Sequence, residues 1–245
     1  MSNYHFDFQK FSIIQEHSAM KVGTDGVLLG AWANLPNLPF SDSLRPQILD
    51  IGTGTGVIAL MLAQRFSEAL IDAIEIDHEA AKEAKLNAKN SPWKDRINVF
   101  ETSLEDYIPE TKSYDLIVTN PPFYNATLKP EDEARAAARH YDSLPFSDIT
   151  KFSDKYINDN GILAVIYPTN CEDNIMLGVA SSSLRFHTIC DVLTKEGKVC
   201  KRRMIMLSKK TENVVQKQAL CLRNKADEFT QEYRNLTKDF YISLK

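Results

Sequence analysis

The stretch that decides the fold of this 245-residue chain is Gln47-Ile48-Leu49-Asp50-Ile51-Gly52-Thr53-Gly54-Thr55-Gly56. A short apolar run enters three alternating glycines, and residues 57–65, rich in Ala, Leu and Met, are too long for a second strand. Strand, glycine loop and buried helix open a doubly wound α/β sheet, in which ligands bind beyond the carboxyl ends of the strands. The glycines let a ligand approach the backbone closely. A nicotinamide or flavin fingerprint would need glycine at position 57, where Val57 stands, but another nucleotide ligand stays open.

An acidic residue near the end of the second strand is expected in such a sheet, where it receives ribose hydroxyl groups. Residues 70–77 predict that strand, and Glu75 is the residue in the required place. Asp77 is either that acid or the N-cap of a helix over residues 78–90. A carboxylate at a strand end is also common on protein surfaces, so Glu75 alone decides nothing. Residues 96–100 predict the third strand, and Ser103-Leu104 follow it where this fold meets an adenine ring.

A second motif closes the apolar run of residues 114–119, which ends in Asn120-Pro121-Pro122-Phe123. Each proline fixes its φ near about −65°, so the turn is stiff and points in one direction. It presents an amide side chain, a fixed backbone carbonyl and a flat ring at one place. These groups can hold a planar amine by its two N–H donors and stack on its ring. The alternative is a strand-ending turn without chemistry.

The rest of the chain continues the alternation of helices and strands. Its pattern predicts a helix over residues 146–160 with Gly161 as C-cap, a strand over 162–168, a helix over 171–183, and a hairpin of 186–193 with 202–207. Strands that alternate with helices and end in a hairpin indicate a Rossmann-like sheet of seven strands with one antiparallel member. We divide the chain into an N-terminal lid segment (1–46), a core (47–210) and a C-terminal extension packed on that core (211–245).

Composition excludes several classes of protein. The 43% hydrophobic content is ordinary for a globular core, and no stretch approaches eighteen uninterrupted apolar residues. Four cysteines, none in a C-x-x-C pair, indicate neither a disulfide framework nor a metal site, so a soluble cytoplasmic protein is expected. The N-terminus has no signal-peptide core. A net charge of −4 argues against wholesale nucleic-acid binding but allows a local basic face.

Two sets of residues carry a resemblance to known families. The G-x-G-x-G loop after an Asp-bearing strand resembles the S-adenosylmethionine loop of class I methyltransferases. Over nearly its full length the chain also resembles the bacterial valine-tRNA adenine-N6 methyltransferases. The residues that carry this second resemblance are Phe8-Gln9-Lys10-Phe11, Gln15, the run from Ala19 to Trp32, Ser91-Pro92-Trp93, Asn120-Pro121-Pro122-Phe123 and Ala138-Arg139-His140. One departure is Gly26, where serine or alanine is more usual, and it would only loosen the first helix.

The resemblance implies transfer of a methyl group from S-adenosylmethionine to the exocyclic N6 amine of the adenine beside the anticodon, position 37 of valine tRNA. The catalytic residues would be Asn120 and Pro121, as acceptors of the amine's N–H groups, and Phe123, as stacking platform. The cofactor would be held by Lys21, Gly23, Thr24, Asp50, Gly52, Gly54, Gly56, Glu75, Ser103, Leu104 and Asn120. The first three lie in a loop predicted to precede a helix whose N-cap is Thr24 or Asp25. No metal is needed, and a monomer is favoured.

Contacts to RNA are assigned to a wider set: Pro122, Tyr124, Arg135, Arg139, His140, Lys201, Arg202 and Arg203. The basic clusters, which also include Lys198, are more often solvated faces than phosphate contacts. Enzymes that methylate guanine N2 in ribosomal RNA, or a protein glutamine, carry the same Asn-Pro-Pro-aromatic motif and remain alternatives. A non-catalytic RNA-binding module on the same fold is a third.

Overall fold

A mixed sheet of eight strands forms the centre of the molecule. The computed structural model describes residues 4–36, 45–110, 113–122, 144–210 and 214–243. Two short strands at the N-terminus, β1 (His5–Asp7) and β2 (Ser12–Ile14), form a separate hairpin. The strands of the central sheet are β3 (Gln47–Ile51), β4 (Leu70–Glu75), β5 (Ile97–Glu101), β6 (Tyr114–Thr119), β7 (Ile157–Pro168), β8 (Arg185–Leu193), β9 (Arg202–Ser208) and β10 (Gln216–Cys221).

The order of these strands is β10-β8-β9-β7-β6-β3-β4-β5. All neighbours are parallel except those of β9, which runs antiparallel to both β7 and β8. The predicted fold class, including the single antiparallel strand and the final hairpin, is therefore confirmed. The sheet has one strand more than the seven expected, because residues from the predicted C-terminal extension pair as β10 with the edge strand β8.

Helices cover both faces of the sheet. They are α1 (Thr24–Trp32), α2 (Val57–Arg65), α3 (His78–Asn90), α4 (Phe146–Tyr156), α5 (Glu172–Ala180) and α6 (Gln231–Thr237). Side chains of a strand alternate between faces, so Ile48 joins the core beneath α1 and α2 while Leu49 joins the core beneath α4 and α5. Among the described residues, no helix has the length and apolar character of a membrane span.

The two ends of the chain are joined to each other on the core. Phe8 forms a β-bridge with Tyr241, and the amide nitrogen of Gln9 donates to the carbonyl of Phe240 at 2.8 Å. The side-chain nitrogen of Gln9 donates to two further carbonyl oxygens, those of Lys238 and Tyr241, at 2.6 Å each. The N-terminal hairpin is thus fixed by the C-terminal segment as well as by the sheet.

The helix predicted over residues 146–160 is shorter than expected. It ends at Tyr156, and β7 begins at once with Ile157, so Gly161 lies inside a strand instead of capping a helix. A Cβ atom at Gly161 would lie 2.9 Å from the carbonyl oxygen of Tyr114, where the β6–β7 register shifts. The glycine is therefore explained by a close approach between strands.

Candidate active site at the carboxyl edge of the sheet

Three adjacent strands bring the predicted site residues to one edge. Ile51 at the end of β3 is paired with Ile74 of β4 on one side and with Thr119 of β6 on the other. Gly52, Glu75 and Asn120 are the next residues along these parallel strands. Because neighbouring strands lie about 4.8 Å apart, the glycine loop, the acid and the Asn-Pro-Pro turn share one end of the sheet.

The glycine loop has a backbone that only glycine adopts without strain. The φ angles of Gly52, Gly54 and Gly56 are 68°, 56° and 84°. Apart from the adjoining residues, no atom of the described chain lies within 4 Å of the place where a Cβ would stand at Gly52 or Gly54, so the described structure leaves the outer side of the loop open. The inner side is fixed, because the amide nitrogens of Gly52 and Thr53 both donate to the carbonyl of Ile74. The loop is thus a rigid and uncovered cradle.

Glu75, at the end of the neighbouring strand β4, bonds to this loop. Its Oε2 accepts the amide N–H of Gly54 at 2.8 Å, and its Oε1 accepts that of Asp77 at 3.0 Å. Asp77 in turn caps α3, since its Oδ1 accepts the N–H of Ala80 at 2.8 Å. The sequence allowed either Glu75 or Asp77 to be the acid that receives a ribose. Asp77 caps α3, and Glu75 is the one that contacts the glycine loop.

Asp50 lies beneath the loop and is completely buried. Its Oδ2 accepts hydrogen bonds from Thr53 Oγ1 at 2.6 Å and from the Ala59 amide at 3.1 Å. Its Oδ1 has no hydrogen-bond partner among the described residues. Burial raises the pKa of this carboxyl to about 7, and the charge of Glu75 adds to the rise, while the two hydrogen bonds offset part of it. An orphaned oxygen of this kind fits a site that is completed by a ligand.

The Asn-Pro-Pro turn follows β6 without a gap. Thr119 is buried and its hydroxyl donates to the carbonyl of Ile51 at 3.0 Å, which locks the end of β6 against β3. Asn120 and Pro122 are half-buried and Pro121 is buried. The remaining predicted residues that follow this turn lie outside the described residues: Phe123, Tyr124, Arg135, Arg139 and His140.

Ser103 and Leu104 follow β5 in a tight turn. The Ser103 hydroxyl donates to Asp106 Oδ2 at 2.7 Å and accepts the amide N–H of the same residue at 3.0 Å. Leu104 is buried in the core on the α4 side of the sheet. The backbone of this turn is held to the edge near Glu75, because the Thr102 amide donates to the Glu75 carbonyl at 2.9 Å.

The N-terminal segment differs in detail from the sequence prediction. Helix α1 begins at Thr24, and its N-cap is Gly23, so Thr24 and Asp25 lie in the first turn instead of the loop, and neither side chain caps the helix. Asp25 pairs with Arg202, whose Nε donates to Asp25 Oδ2 at 2.7 Å. The ammonium group of Lys21 donates to the backbone carbonyls of Gln15 and Glu16. Lys21 therefore stabilises the path of its own segment.

Two residues of α3 that the sequence analysis did not single out connect this segment to the glycine loop. Glu83 accepts the amide N–H groups of His17 and Ser18 at 2.6 and 3.0 Å, and the Ser18 hydroxyl as well. Asn87, one turn later, exchanges two hydrogen bonds with the backbone of Ile14 and donates to the carbonyl of Thr55 at 2.9 Å. The available signal was a Glu and an Asn four residues apart on the alanine face of the helix.

The predicted basic residues near the hairpin have different surroundings. Arg203 donates to Asp191 Oδ1 at 2.7 Å and to Glu172 Oε2 at 2.8 Å, so its charge is used within the fold. Arg202 is held by Asp25. Lys201 is exposed and has no ion-pair partner in the described part of the chain. Of the three, Lys201 is the one whose charge is available to a phosphate.

Comparisons with known proteins agree with this geometry. Residues 28–139 match the family described as methyltransferase small domain. A tRNA1(Val) (adenine(37)-N6)-methyltransferase of Flavobacterium psychrophilum is 42% identical over 98% of this chain and all of its own length. Proteins of the same name from Trichodesmium erythraeum and Aeromonas salmonicida are 42% and 38% identical over 99% of both chains. Among solved structures, one described as a predicted O-methyltransferase from Agrobacterium tumefaciens shares the fold, with a TM-score of 0.64 at 17% identity, covering 88% of this chain and 96% of its own.

Proposed function

This chain belongs to the tRNA1(Val) (adenine(37)-N6)-methyltransferases, and we propose how its carboxyl-edge site carries out their reaction. The enzyme transfers a methyl group from S-adenosylmethionine to the N6 amine of adenine 37 in valine tRNA. The observation that carries the proposal is the register that aligns Ile51 with Ile74 and Thr119, because it places the glycine loop, Glu75 and Asn120 side by side.

The residues at this edge fit S-adenosylmethionine. The open cradle of Gly52 and Gly54 accepts close approach of the ligand, and Glu75, already at the loop, is placed to accept ribose hydroxyl groups. The orphaned Asp50 Oδ1 beneath the loop fits a site that a polar or cationic ligand completes. When bound, the cofactor supplies an electrophilic methyl group on a sulfonium whose leaving group is a neutral thioether.

Asn120 and Pro121 act on the amine. The lone pair of an adenine N6 is delocalised into its ring, which makes the nitrogen a poor nucleophile. The Asn120 Oδ1 and the Pro121 carbonyl each accept one N–H of the amine, which draws the nitrogen toward tetrahedral geometry and frees its lone pair. The stiff proline turn fixes both acceptors before the base arrives, so catalysis comes mainly from orientation. The excess proton leaves to water, and no strong general base is required.

The target base must leave its stack to reach this edge. Phe123 and Tyr124 come directly after the turn in sequence and supply aromatic faces for the displaced adenine. Pro122 keeps the turn itself stiff, because a proline restricts its own φ and the conformation of the residue before it.

Substitution of Asn120 tests the proposal. Asn120→Ala removes one acceptor and should lower the single-turnover rate of methyl transfer to valine tRNA by about 100-fold or more, while S-adenosylmethionine still binds. Asn90→Ala, at an exposed helix end, is the matched control and should leave the rate unchanged. If the Asn120 variant keeps more than about a tenth of the wild-type rate, Asn120 has no role in catalysis.

The substrate is tested in cells. Nucleoside mass spectrometry of purified valine tRNA should show N6-methyladenosine with the gene present and its loss after deletion, restored by the wild-type gene but not by Asn120→Ala. Unchanged N6-methyladenosine in the deletion strain would contradict the assignment. Methyl groups found in protein or ribosomal RNA instead would identify one of the related activities.

A further inference from the structure

A basic and aromatic groove lies beside the catalytic edge and has a volume of about 960 Å³. It runs between the β8–β9 hairpin, the start of α1 and the segment around α6. Four cations line it, together with aromatic side chains from both ends of the chain. The cations are Lys195, Lys198, Lys201 and Arg223.

The strand order puts this groove close to the catalytic turn. Strands β6, β7, β9 and β8 are consecutive neighbours, and Thr119 is level with Ile189 of β8 through this register. The end of β8 is therefore three strand spacings across and four residues further along, roughly 19 Å from the end of β6. Thr24, one of the predicted cofactor contacts, lines the groove at its inner end. The Arg202–Asp25 pair fixes that end, because it ties the start of β9 to the first turn of α1.

The walls offer both stacking and charge. The guanidinium carbon of Arg223 lies 4.0 Å from the ring centroid of Phe229, which itself packs at 5.1 Å from Tyr233. Lys198 is exposed and, within the described residues, has no ion-pair partner, as is true of Lys201. Cations along a groove with aromatic faces between them are what proteins use to hold single-stranded nucleic acid.

One carboxylate occupies the charged part of the groove. Asp227 Oδ1 lies 3.1 Å from Lys195 Nζ, and Asp227 Oδ2 lies 3.7 Å from Arg223 Nη1. Asp227 is the one non-glycine residue with positive φ in the described chain, at 69°. Such a conformation is unfavourable for most residues, although aspartate and asparagine tolerate it best. The chain thus holds an anion against two groove cations in a strained turn.

We propose that this groove binds the single-stranded RNA next to the target adenine, and that Asp227 occupies the position taken by an RNA phosphate. The proposal rests on the proposed function, since it assigns the surface on which that enzyme holds its tRNA. Lys198 and Lys201 meet phosphates directly, whereas Lys195 exchanges the Asp227 carboxylate for a phosphate. Arg223 stays bonded to the Asp227 carbonyl and adds its charge to that phosphate site.

The sharpest test compares two variants with the same change in net charge. Asp227→Asn keeps a residue that tolerates positive φ but removes the carboxylate charge beside Lys195 and Arg223, so it should bind a valine-tRNA anticodon stem-loop about 2-fold to 5-fold more tightly. Glu232→Gln, exposed on α6, adds the same charge at a carboxylate that pairs with none of these cations in the described part of the chain, and should change affinity little. Equal affinity in the two variants, or weaker binding by Asp227→Asn, overturns the proposal.

The salt dependence of binding gives a second readout. Lys198→Ala should reduce the slope of log affinity against log salt by about 0.7, the value for one lost contact to a single-stranded phosphate. Lys89→Ala, exposed on α3 near the opposite edge of the sheet, is the control and should leave the slope unchanged. An unaltered slope in Lys198→Ala would contradict the binding of RNA in this groove.

Methyl transfer by the wild-type protein to the same stem-loop and to full-length tRNA separates the two inferences. If neither RNA is methylated, the proposed function fails. If the wild type methylates them while Asp227→Asn and Lys198→Ala behave like their controls, the reaction stands and the groove is excluded.

Discussion

Two buried carboxylates beside the glycine loop, Asp50 on β3 and Glu83 on α3, have opposite surroundings. Asp50 receives two hydrogen bonds on one oxygen and, from the residues that the structure describes, none on the other. Glu83 is almost fully buried but has donors on both oxygens, from the backbone of His17 and Ser18 and from the Ser18 hydroxyl. Both acids are next to the loop, since Asp50 bonds to Thr53 and the helix that carries Glu83 approaches Gly56 at Ala84.

Their pKa values move in opposite directions. Burial raises the pKa of Asp50 to about 7, because two hydrogen bonds do not replace the water it has lost. Burial also acts to raise the pKa of Glu83, but its hydrogen bonds from residues 16–18 outweigh it and the pKa is lowered. Glu83 is thus complete without a ligand and serves to fasten the N-terminal segment. Asp50, by contrast, has an oxygen that can still accept a hydrogen bond from a ligand.

The largest expected effect is on the pH dependence of stability through Asp50. Because folding raises its pKa from 3.8 to about 7, the folded protein holds an extra proton between these values, and the contribution of Asp50 to stability falls as pH rises. Asp50→Asn removes this titration. The free energy of unfolding of the variant minus that of wild type should therefore increase by about 3 kcal/mol from pH 5 to pH 8.

Denaturant unfolding of both proteins across this range gives the comparison. The difference between the two proteins is the relevant quantity, since other acids titrate equally in each. Parallel stability curves would show that Asp50 is ionised in the folded protein at pH 5, and its contrast with Glu83 would disappear.

Glu83→Gln should show the reverse dependence. The amide sets an N–H group against donors from residues 17 and 18, so we expect a loss of about 2 kcal/mol at pH 7. Because folding lowers the pKa of Glu83, its contribution is present above the unfolded value and is lost as pH falls through the folded one. The deficit of the variant should therefore shrink on acidification.

Glu79→Gln is the matched control for this change, since Glu79 lies on the same helix at the surface and forms ion pairs with His78 and Lys82. Chemical unfolding at pH 7 and at pH 4 measures all three proteins. A deficit in Glu83→Gln no larger than in Glu79→Gln would mean that the donors from residues 17 and 18 do not hold this carboxylate.

Sequence alone predicted the half of the fold that has strong local signals. The bounds of β3, α2, α3 and β6 agree to the residue, because glycines, a capping aspartate and prolines mark their ends. The prediction was wrong where contacts between residues far apart in sequence determine the secondary structure. Helix α4 gives way to a strand because Ile157 pairs with Tyr114 across the sheet. The polar segment Gln216–Cys221 becomes β10 because β8 offers a parallel edge.

The candidate site shows the same contrast between residues with local sequence signals and residues whose surroundings depend on distant contacts. The glycine loop, Glu75 and Asn120 were predicted to lie together because strand ends in a doubly wound sheet meet at one edge, and the register of β3, β4 and β6 brings them there. Glu83 was missed because a glutamate on a helix is usually solvated, and its donors come from a segment 65 or more residues earlier. The basic residues near the hairpin could not be ranked from sequence, since only the structure shows that Arg203 is already paired with Asp191 and Glu172.

The third prediction concerns cofactor affinity. A ligand that carries positive charge favours the ionised form of Asp50, so affinity for S-adenosylmethionine should rise about 5-fold to 10-fold between pH 6 and pH 7.5 and flatten above. Isothermal titration at each pH measures it. Asp50→Asn should lose this rise and Glu83→Gln should keep it. The same rise in Asp50→Asn would assign it to the ligand or to another residue.

The smallest expected effect comes from Thr53, whose side chain bonds to Asp50. Thr53→Val keeps the shape but removes the hydroxyl that donates at 2.6 Å, which should lower the free energy of unfolding by about 1 kcal/mol. Because that bond lowers the pKa of Asp50, its loss should also move the titration seen in wild-type stability to higher pH. Thr53→Ser retains the hydroxyl and should restore the wild-type midpoint. If Thr53→Val and Thr53→Ser titrate alike, the bond from residue 53 does not set the pKa of Asp50, and burial and the charge of Glu75 alone account for its difference from Glu83.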